Sequence, residues 1–471
     1  MRNIYDDISL LLACIFGSIC YIVTFYHKKI YSIQSMAVVI IVGSLLGIGL
    51  SEWEQSKIIQ KETKVLKHAE SKNTLLQVIG LYKKKEFQKQ YLVKIKDENI
   101  RGIINIPFNF SLQQGDIIKI NQKIEMIENK NDTFLYKQFM QSKNIFFLSY
   151  VPYYEKIGYI PPHTLIYSLQ SLREKSLKII HHLFPEEEAI FLGGILIGAR
   201  ESLPKELSTH FNHSGLTHFI AVSGFNITIL IVFLSVFTAY FPLWIRGGVV
   251  LVSIVGFILF VGPTAPVIRA GIMGGIGFLC LLWGQSNNSI SAILLTGICM
   301  ILWSPLSLNY DVSLHLSFGA VIGIVAFQDF FKKVFYFVPT TFALREALVL
   351  TFSALVPTLP LMLFHFGQVS ILAPISNILV TWTIPLAMLG GFIALLLFPF
   401  FEMGAWIVGG VTYLLLRFDI TVVHLIGGWE YAVGYVELGM YRNIFLLYYF
   451  GLMLLILLKR QKKESKNISL L

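Results

Sequence analysis

The residues best suited to chemistry in this chain stand inside an apolar stretch, residues 193–230, which reads GGILIGARESLPKELSTHFNHSGLTHFIAVSGFNITIL. Its polar members include Arg200, His218, Ser223 and Asn226. Such groups are costly at membrane depth, so they usually face a bundle interior or a water-filled path. The Ser223-Gly224 step interrupts a strong helix pattern. It indicates either a broken helix beside a polar path or close packing of two helices.

A second candidate site is the segment GPTAPVIRAGIMGGIG, residues 262–277, in which Arg269 lies one turn inside an apolar span. A guanidinium fork is well shaped to hold a phosphate group, which is one role for this arginine. The alternatives are an arginine that snorkels to the interface and one that pairs with Asp311.

Two histidines, His315 and His365, stand near the ends of later apolar segments. A lone histidine in that position is more often an interfacial residue than a catalyst. With Ser223 as nucleophile, however, either histidine is the type of base that an intramembrane serine protease needs.

The composition predicts the class of protein that must position these residues. Of 471 residues, 55% are hydrophobic and only 14% are charged, which is typical of a polytopic membrane protein. The net charge of +10 is consistent with basic cytoplasmic loops and does not by itself indicate a nucleic-acid partner. The four cysteines lie in apolar runs without a CxxC, and the chain has no GxxxxGK[ST] or HExxH motif. We therefore expect no metal site and no cofactor.

Apolar runs of about 20 residues predict the membrane spans. We expect a transmembrane hairpin at 1–50, an extracytoplasmic domain at 51–160, an amphipathic surface helix at 161–187, a membrane domain at 188–458 and a basic cytoplasmic tail at 459–471. The positive-inside rule orients the chain with its C-terminus in the cytoplasm. The orientation derived from the basic residues near the N-terminus agrees with the orientation derived from the C-terminal tail if residues 189–199 re-enter the membrane rather than cross it. The prediction is eleven crossings plus one re-entrant segment, in the inner membrane of a bacterium.

The segment 51–160 differs from the rest because it is rich in lysine and its apolar residues alternate, as in TLLQVIG and YLVKIK. Glycine and asparagine separate these runs, which is the pattern of a small β domain. The lysines are explained equally well by a solvated face and by a nucleic-acid surface.

Four ordered segments of the sequence resemble the ComEC competence channel family. They are Gly194 to Ile227 (GxLxGxRxxLP and the later AVSG), Pro266 to Met273 (PxxRAxIM), Leu316 to Ile324 (LSFxAVxGI) and Thr358 to Asn377 (TLPLxxxxFGxxSxxxxxxN). Where the family usually has histidine, this chain has Asn226. The chain ends soon after its last span, so it resembles the short form of the family, without a metallo-β-lactamase-like domain.

The resemblance implies a channel that passes single-stranded DNA into the cytoplasm during natural transformation. It also implies that the β domain is OB-like, a fold that holds single strands with basic and aromatic side chains. The implied contacts in that domain are Tyr82, Lys83, Lys84, Lys85, Tyr91, Lys94, Lys96 and Phe108. The implied channel residues are Arg200, His218, Ser223, Gly224, Asn226, Arg269, His315, His365 and Asn377.

The same resemblance implies partners: membrane lipids, a separate DNA receptor, a nuclease and an ATP-driven cytoplasmic motor. It leaves open whether one chain or a homodimer forms the pore. Two rival functions are an intramembrane serine protease that uses Ser223 and an exporter of a lipid or polymer.

Overall fold

The structure is a computed structural model. It does not describe residues 1–51, 54, 69–73, 85–87, 97, 99, 129–135, 162–163, 200–202, 221–223, 263, 285–288, 304–309, 341–343, 436–447, 449–450 and 452–471. The predicted hairpin at 1–50, the basic tail and nearly all of the predicted span at 443–458 therefore lie outside the described residues. So do Lys85, Arg200 and Ser223.

The predicted β domain begins with a helix, α1 (55–68), and contains seven strands and one further helix. They are β1 (Thr74–Lys84), β2 (Gln88–Ile95), β3 (Arg101–Pro107), β4 (Asp116–Ile120), β5 (Glu125–Met126), α2 (Tyr136–Ser142), β6 (Ile145–Tyr150) and β7 (Glu155–Tyr159). The strand order is β5-β6-β3-β2-β1-β4-β7. The β3–β6 pair is parallel and the other pairs are antiparallel.

One face of this sheet forms the core of the domain, because successive side chains along a strand point to opposite faces. Leu76 of β1, Val93 of β2 and Ile104 of β3 are fully buried there. Ile118 of β4 and Phe147 of β6 join the same cluster although their strands lie on opposite sides of the central three. The sheet therefore curls around its core.

After the β domain the chain is mostly helical. The helices are α3 (Thr164–Leu183), α4 (Glu186–Ile197), α5 (Lys205–His213), α6 (Thr217–Ile220), α7 (Gly224–Phe237), α8 (Leu243–Val261), α9 (Ala265–Leu282), α10 (Ser289–Trp303), α11 (Val312–Val334), α12 (Leu344–Phe366), α13 (Ala373–Thr381), α14 (Thr383–Leu397) and α15 (Glu402–Gly427). A short pair of strands, β8 (Gln368–Ser370) and β9 (Val433–Tyr435), is also present. The amphipathic sequence predicted to be helical before residue 185 is α3.

Five of the described helices are long and apolar enough to cross a membrane: α8, α9, α11, α12 and α15. The pair α13 and α14 makes a sixth if it counts as one span bent by 44°. The break falls beside Pro385, whose missing N–H cannot bond to the carbonyl group of Thr381 one turn earlier. Within the predicted span at 215–239 the structure describes α6 and α7, and the residues between them, 221–223, lie outside the described residues. These helices are those of a polytopic membrane protein.

The chain divides into two compact units. The first unit contains residues 1–178, 197–203 and 222–314, which include the β domain and helices α7 to α10. The second unit contains residues 179–196, 204–221 and 315–471, which include α4 to α6 and α12 to α15.

Candidate functional site

Arg269 of the first unit is buried and held by its own unit. Its side chain is 4% exposed, and its Nη2 lies 3.5 Å from the carbonyl oxygen of Ser313. Asp311, which is also buried, attracts the guanidinium electrostatically. The Asp311 carboxylate in turn accepts the backbone N–H of Ser313 at 3.0 Å. The burial of Arg269 argues against a snorkelling side chain, and the attraction of Asp311 is compatible with the predicted pair; the phosphate role stays a prediction.

The small residues of α7 and α9 bring these two helices together in the first unit. A Cβ atom on Gly224 would lie 3.8 Å from the Ala270 side chain, and one on Gly274 would lie about 3 Å from Ile227. Asn226 of α7 is only 4% exposed. Close approach of this kind is how small residues act in membrane helices. The tight position is Gly274, whereas a Cβ atom on Gly224 would be in ordinary van der Waals contact, so the packing interpretation of Gly224 stays a prediction.

The two predicted histidines of the second unit meet each other. His315 of α11 and His365 at the end of α12 stack with their ring centroids 6.0 Å apart. The His365 ring also meets the edge of Phe364 at 5.0 Å. The stacked rings bring two ionisable groups together between two membrane helices, where such groups usually have a functional reason.

His218 and Asn377, also of the second unit, have different surroundings. His218 is exposed, and its Nδ1 lies 3.0 Å from the carbonyl oxygen of Gly215. Gly215 has φ of 75° and packs so closely on Ala373 that a Cβ atom would lie 2.5 Å from that side chain. Asn377 of α13 has a buried Oδ1 without a hydrogen-bond donor among the described residues.

A polar network that the sequence reasoning missed joins α4, α5 and α15. Arg417 lies 3.3 Å from the buried carboxylate of Glu188. His424 Nε2 lies 3.2 Å from Glu187 Oε2, and its Nδ1 lies 3.0 Å from Nδ1 of His210. Arg417 and His424 are seven residues apart, so they share one face of α15. That spacing, with the EEE run of residues 186–188, was the available signal.

The outer face of the β domain carries a short basic row. Lys94 of β2 pairs directly with Arg101 of β3, and both side chains are at least partly exposed. Next to this pair on the same face, Leu92 and Ile103 are covered by the apolar cluster around Met140 of α2. Beyond that cluster the Gln90 amide donates to Asn105 Oδ1 at 2.7 Å, and Asn105 pairs with the exposed Tyr150 of β6. Like charges directly opposite each other destabilise a sheet unless an anion binds between them.

Tyr91 is a correction to the sequence prediction. Its side chain is 4% exposed in the core of the β domain, and its hydroxyl accepts the backbone N–H of Leu112 at 3.2 Å. A ring buried in this way offers no face on which a base could stack. Tyr82 is partly buried against the cluster around Met140, and this burial raises the pKa of its phenol above the ordinary value of 10.0.

The remaining predicted contacts of this domain are placed as follows. Lys83 and Lys84 occupy register positions opposite Gln90 and Lys89. Lys96 is partly exposed at the end of β2. Phe108 is 41% exposed with Lys89 Nζ 5.0 Å from its ring centroid. Within the part of the chain that the structure describes, no three His, Cys, Asp or Glu side chains are grouped to hold a metal ion.

The comparisons with known proteins agree with this arrangement of motifs. The family described as Competence protein matches residues 195–462, which is more than half of the chain. ComE operon protein 3 of Bacillus subtilis (strain 168) is 25% identical over 226 residues, 46% of this chain and 27% of that protein. An uncharacterized protein of Aquifex aeolicus (strain VF5) is 31% identical over 144 residues, 30% of this chain and 34% of that protein. No solved structure matches.

The chain therefore belongs to the competence protein family, and the resemblance to ComEC proteins is confirmed. The matched region begins in α4 and includes every predicted membrane site from Arg200 to Asn377. The chain spans about a third or less of the length of the two relatives.

Proposed function

We propose that this protein conducts single-stranded DNA across the cytoplasmic membrane into the cytoplasm during natural transformation. The observation that carries the proposal is the family match over residues 195–462, whose membrane helices contain buried ionisable groups. A membrane protein keeps such groups at a cost, and a polar path is the usual reason. DNA is a polyanion, so a path for it needs donors and cations at membrane depth.

The proposed membrane arrangement is the one that the sequence predicts: eleven crossings, with the β domain outside and the C-terminus in the cytoplasm. Helix α4 has 12 residues, too few to cross a bilayer core that needs about 20. We assign it as the re-entrant segment. The proposed path residues are Arg200, His218, Ser223, Gly224, Asn226, Arg269, His315, His365 and Asn377.

We propose that the β domain is OB-like and receives the strand. OB folds bind oligonucleotides on the face of strands 2 and 3. The outer face of β2 and β3 carries Lys94 and Arg101 side by side at one end, and Gln90, Asn105 and the exposed Tyr150 at the other. The apolar cluster around Met140 covers the face between them, so we propose that a strand contacts the two ends and passes over α2. Cations can hold phosphates and the tyrosine can stack on a base, which is how single strands are bound without sequence preference.

The proposal requires other proteins. A receptor must deliver the DNA, a nuclease must remove the second strand and an ATP-driven motor must pull the entering strand. A homodimer is one form that the pore can take.

The test is the entry of labelled double-stranded DNA into cells with and without this gene, scored as nuclease-protected label in the cytoplasm. We expect protected label to be lost while DNA bound at the surface is retained. Unchanged entry would contradict the channel. Export of a polymer that depends on the gene would favour the exporter, and a requirement for Ser223 in proteolysis would favour the protease.

A further inference from the structure

One buried carboxyl group in the second unit has no part in the polar network described above. Asp419 of α15 is 0% exposed. Its Oδ1 contacts the hydroxyl of Thr383, and its Oδ2 is buried without a hydrogen-bond partner among the described residues. Thr383 is also 0% exposed and is the first residue of α14. The carboxyl group thus lies at the break between α13 and α14, where the broken span bends by 44°.

The hydrogen bonds at Thr383 indicate where the protons are. Its hydroxyl has one hydrogen, yet it lies 2.7 Å from the carbonyl oxygen of Val380 and is also in contact with Asp419 Oδ1. If Asp419 were a carboxylate, both neighbours would be acceptors, and the one hydrogen of the hydroxyl could be donated either to Oδ1 or to Val380 but not to both. A second bond at Oδ1 then requires a proton on Asp419, which donates to the hydroxyl oxygen. The neutral carboxyl group satisfies both contacts, and the carboxylate satisfies only one.

Among the described residues, the helices that pack on α15 supply no unengaged buried cation to balance a carboxylate. Helices α13 and α14, which pack on α15, contain no Asp, Glu, Lys, Arg or His within their bounds. The other charged groups near α15 are engaged elsewhere. His210 contacts His424, His213 contacts the carbonyl of Gly427, Glu187 and Glu188 contact His424 and Arg417, and His182 contacts Glu402 at the opposite end. Exposed charges on packed elements are Lys205 and Glu206 of α5.

Next to the helix break, the Asp419 carboxyl group can also exist in its ionised form. The break at Trp382 places the N-terminus of α14 next to Asp419 and Thr383, and a helix N-terminus favours a negative charge. Broken membrane helices bind protons and ions at such points, because the freed backbone groups face an inserted polar side chain. Loss of the proton would let Thr383 donate to Asp419 instead of Val380, and the bond that supports the bend would be lost.

We propose that Asp419 and Thr383 form a proton-binding site at the break of a membrane span. The carboxyl group carries the proton in the structure described here and releases it to water on one side of the membrane. Release leaves a carboxylate, the Thr383 hydroxyl turns toward it, and the α13–α14 bend changes. The site is independent of whether the transported molecule is DNA.

The test is infrared difference spectroscopy of the full chain in lipid nanodiscs. At neutral pH we expect the carbonyl band of a protonated carboxylic acid, which is lost in Asp419→Asn and shifted in Thr383→Val. The matched control is Glu402→Gln, which removes an exposed carboxylate of the same helix and should leave the band unchanged. A shift of the band in D₂O would show that the proton exchanges with solvent.

Absence of this band from the wild-type spectrum would mean that Asp419 is ionised, and the proposal would fall. A band that neither shifts in D₂O nor disappears at high pH would leave a permanently neutral residue, which also overturns the proposal. If Asp419→Asn fails to accumulate, dicyclohexylcarbodiimide labelling of the wild-type protein replaces it. Peptide mass spectrometry should find the adduct on Asp419 and not on Glu402, and labelling should decline as the pH rises.

Discussion

The basic pair on the β domain gives a quantitative test of DNA binding. Lys94 and Arg101 are directly opposite on β2 and β3, so a backbone that follows this face can place one phosphate at each residue. We therefore substitute both, Lys94→Gln with Arg101→Gln. These changes remove the two charges and keep long polar side chains at partly exposed positions, so the fold of the domain should be retained.

The size of the effect follows from counterion release. Each phosphate neutralised on a single strand contributes about 0.7 to the slope of log K against log salt concentration, so two contacts contribute ~1.4. Between 50 and 200 mM salt, the affinity of the wild-type protein should fall about sevenfold more than that of the double variant. The difference in slope is more diagnostic than the affinity itself, because a change in folding would not alter the slope in this way.

The assay is fluorescence anisotropy of a labelled oligothymidine with the full protein in nanodiscs, at four or more salt concentrations. Lys67→Gln removes one exposed charge from α1 and is the control, with a slope equal to that of the wild type. The reasoning is refuted if the double variant keeps the wild-type slope, because the strand then does not contact this pair.

Two further predictions concern packing in each unit. Gly427→Ala should lower stability by about 1–3 kcal/mol, because the new Cβ atom would come far inside contact distance of the His210 backbone. Gly410→Ala on the same helix meets no atom within 4 Å and should be neutral in a thermal melt; equal melting temperatures would contradict the packing of α5 on α15. Arg269→Gln should cost about 3 kcal/mol or more because it leaves Asp311 buried without its cation. The double variant with Asp311→Asn should recover membrane abundance, and a stable single variant would show that the pair is unimportant.

The membrane helices were the most predictable part of the fold. Long apolar runs have few alternatives to a membrane helix, so the predicted spans 245–262, 267–284, 314–331, 346–366 and 404–427 correspond within a few residues to α8, α9, α11, α12 and α15. The predicted span at 371–397 is a bent pair. Its apolar composition continues through the break, so composition alone could not reveal the break. The position of Pro385 was the signal that could have revealed it.

The candidate sites were less predictable because they depend on contacts between distant segments. Pairing of Arg269 with Asp311 was one of three alternatives, and only the fold favours it. The meeting of His315 with His365 has no signal in a single sequence. The burial of Tyr91 did have a signal in the sequence, because the alternate residues Tyr91, Val93 and Ile95 of YLVKIK are apolar. The lysines of this segment favoured a prediction based on charge, which placed Tyr91 on the surface, over one based on the alternation of apolar residues.

The buried charges of the membrane helices separate into two kinds, and the difference bears on mechanism. Arg417 lies 3.3 Å from the buried Glu188, and Arg269 is attracted by the buried Asp311, so each buried carboxylate has a group of opposite charge nearby. Removing one partner from such a pair is costly, so a pair of this kind resists a change of charge during function. Among the described residues the side-chain partner of Asp419 is a hydroxyl group at a helix break, and in our proposal a single proton decides which hydrogen bonds that hydroxyl makes. Repeated loss and gain of a proton within the membrane is therefore easier at Asp419 than at Asp311 or Glu188. Because Asp419 lies at the break between α13 and α14, we propose that such a change acts directly on the bend between these helices.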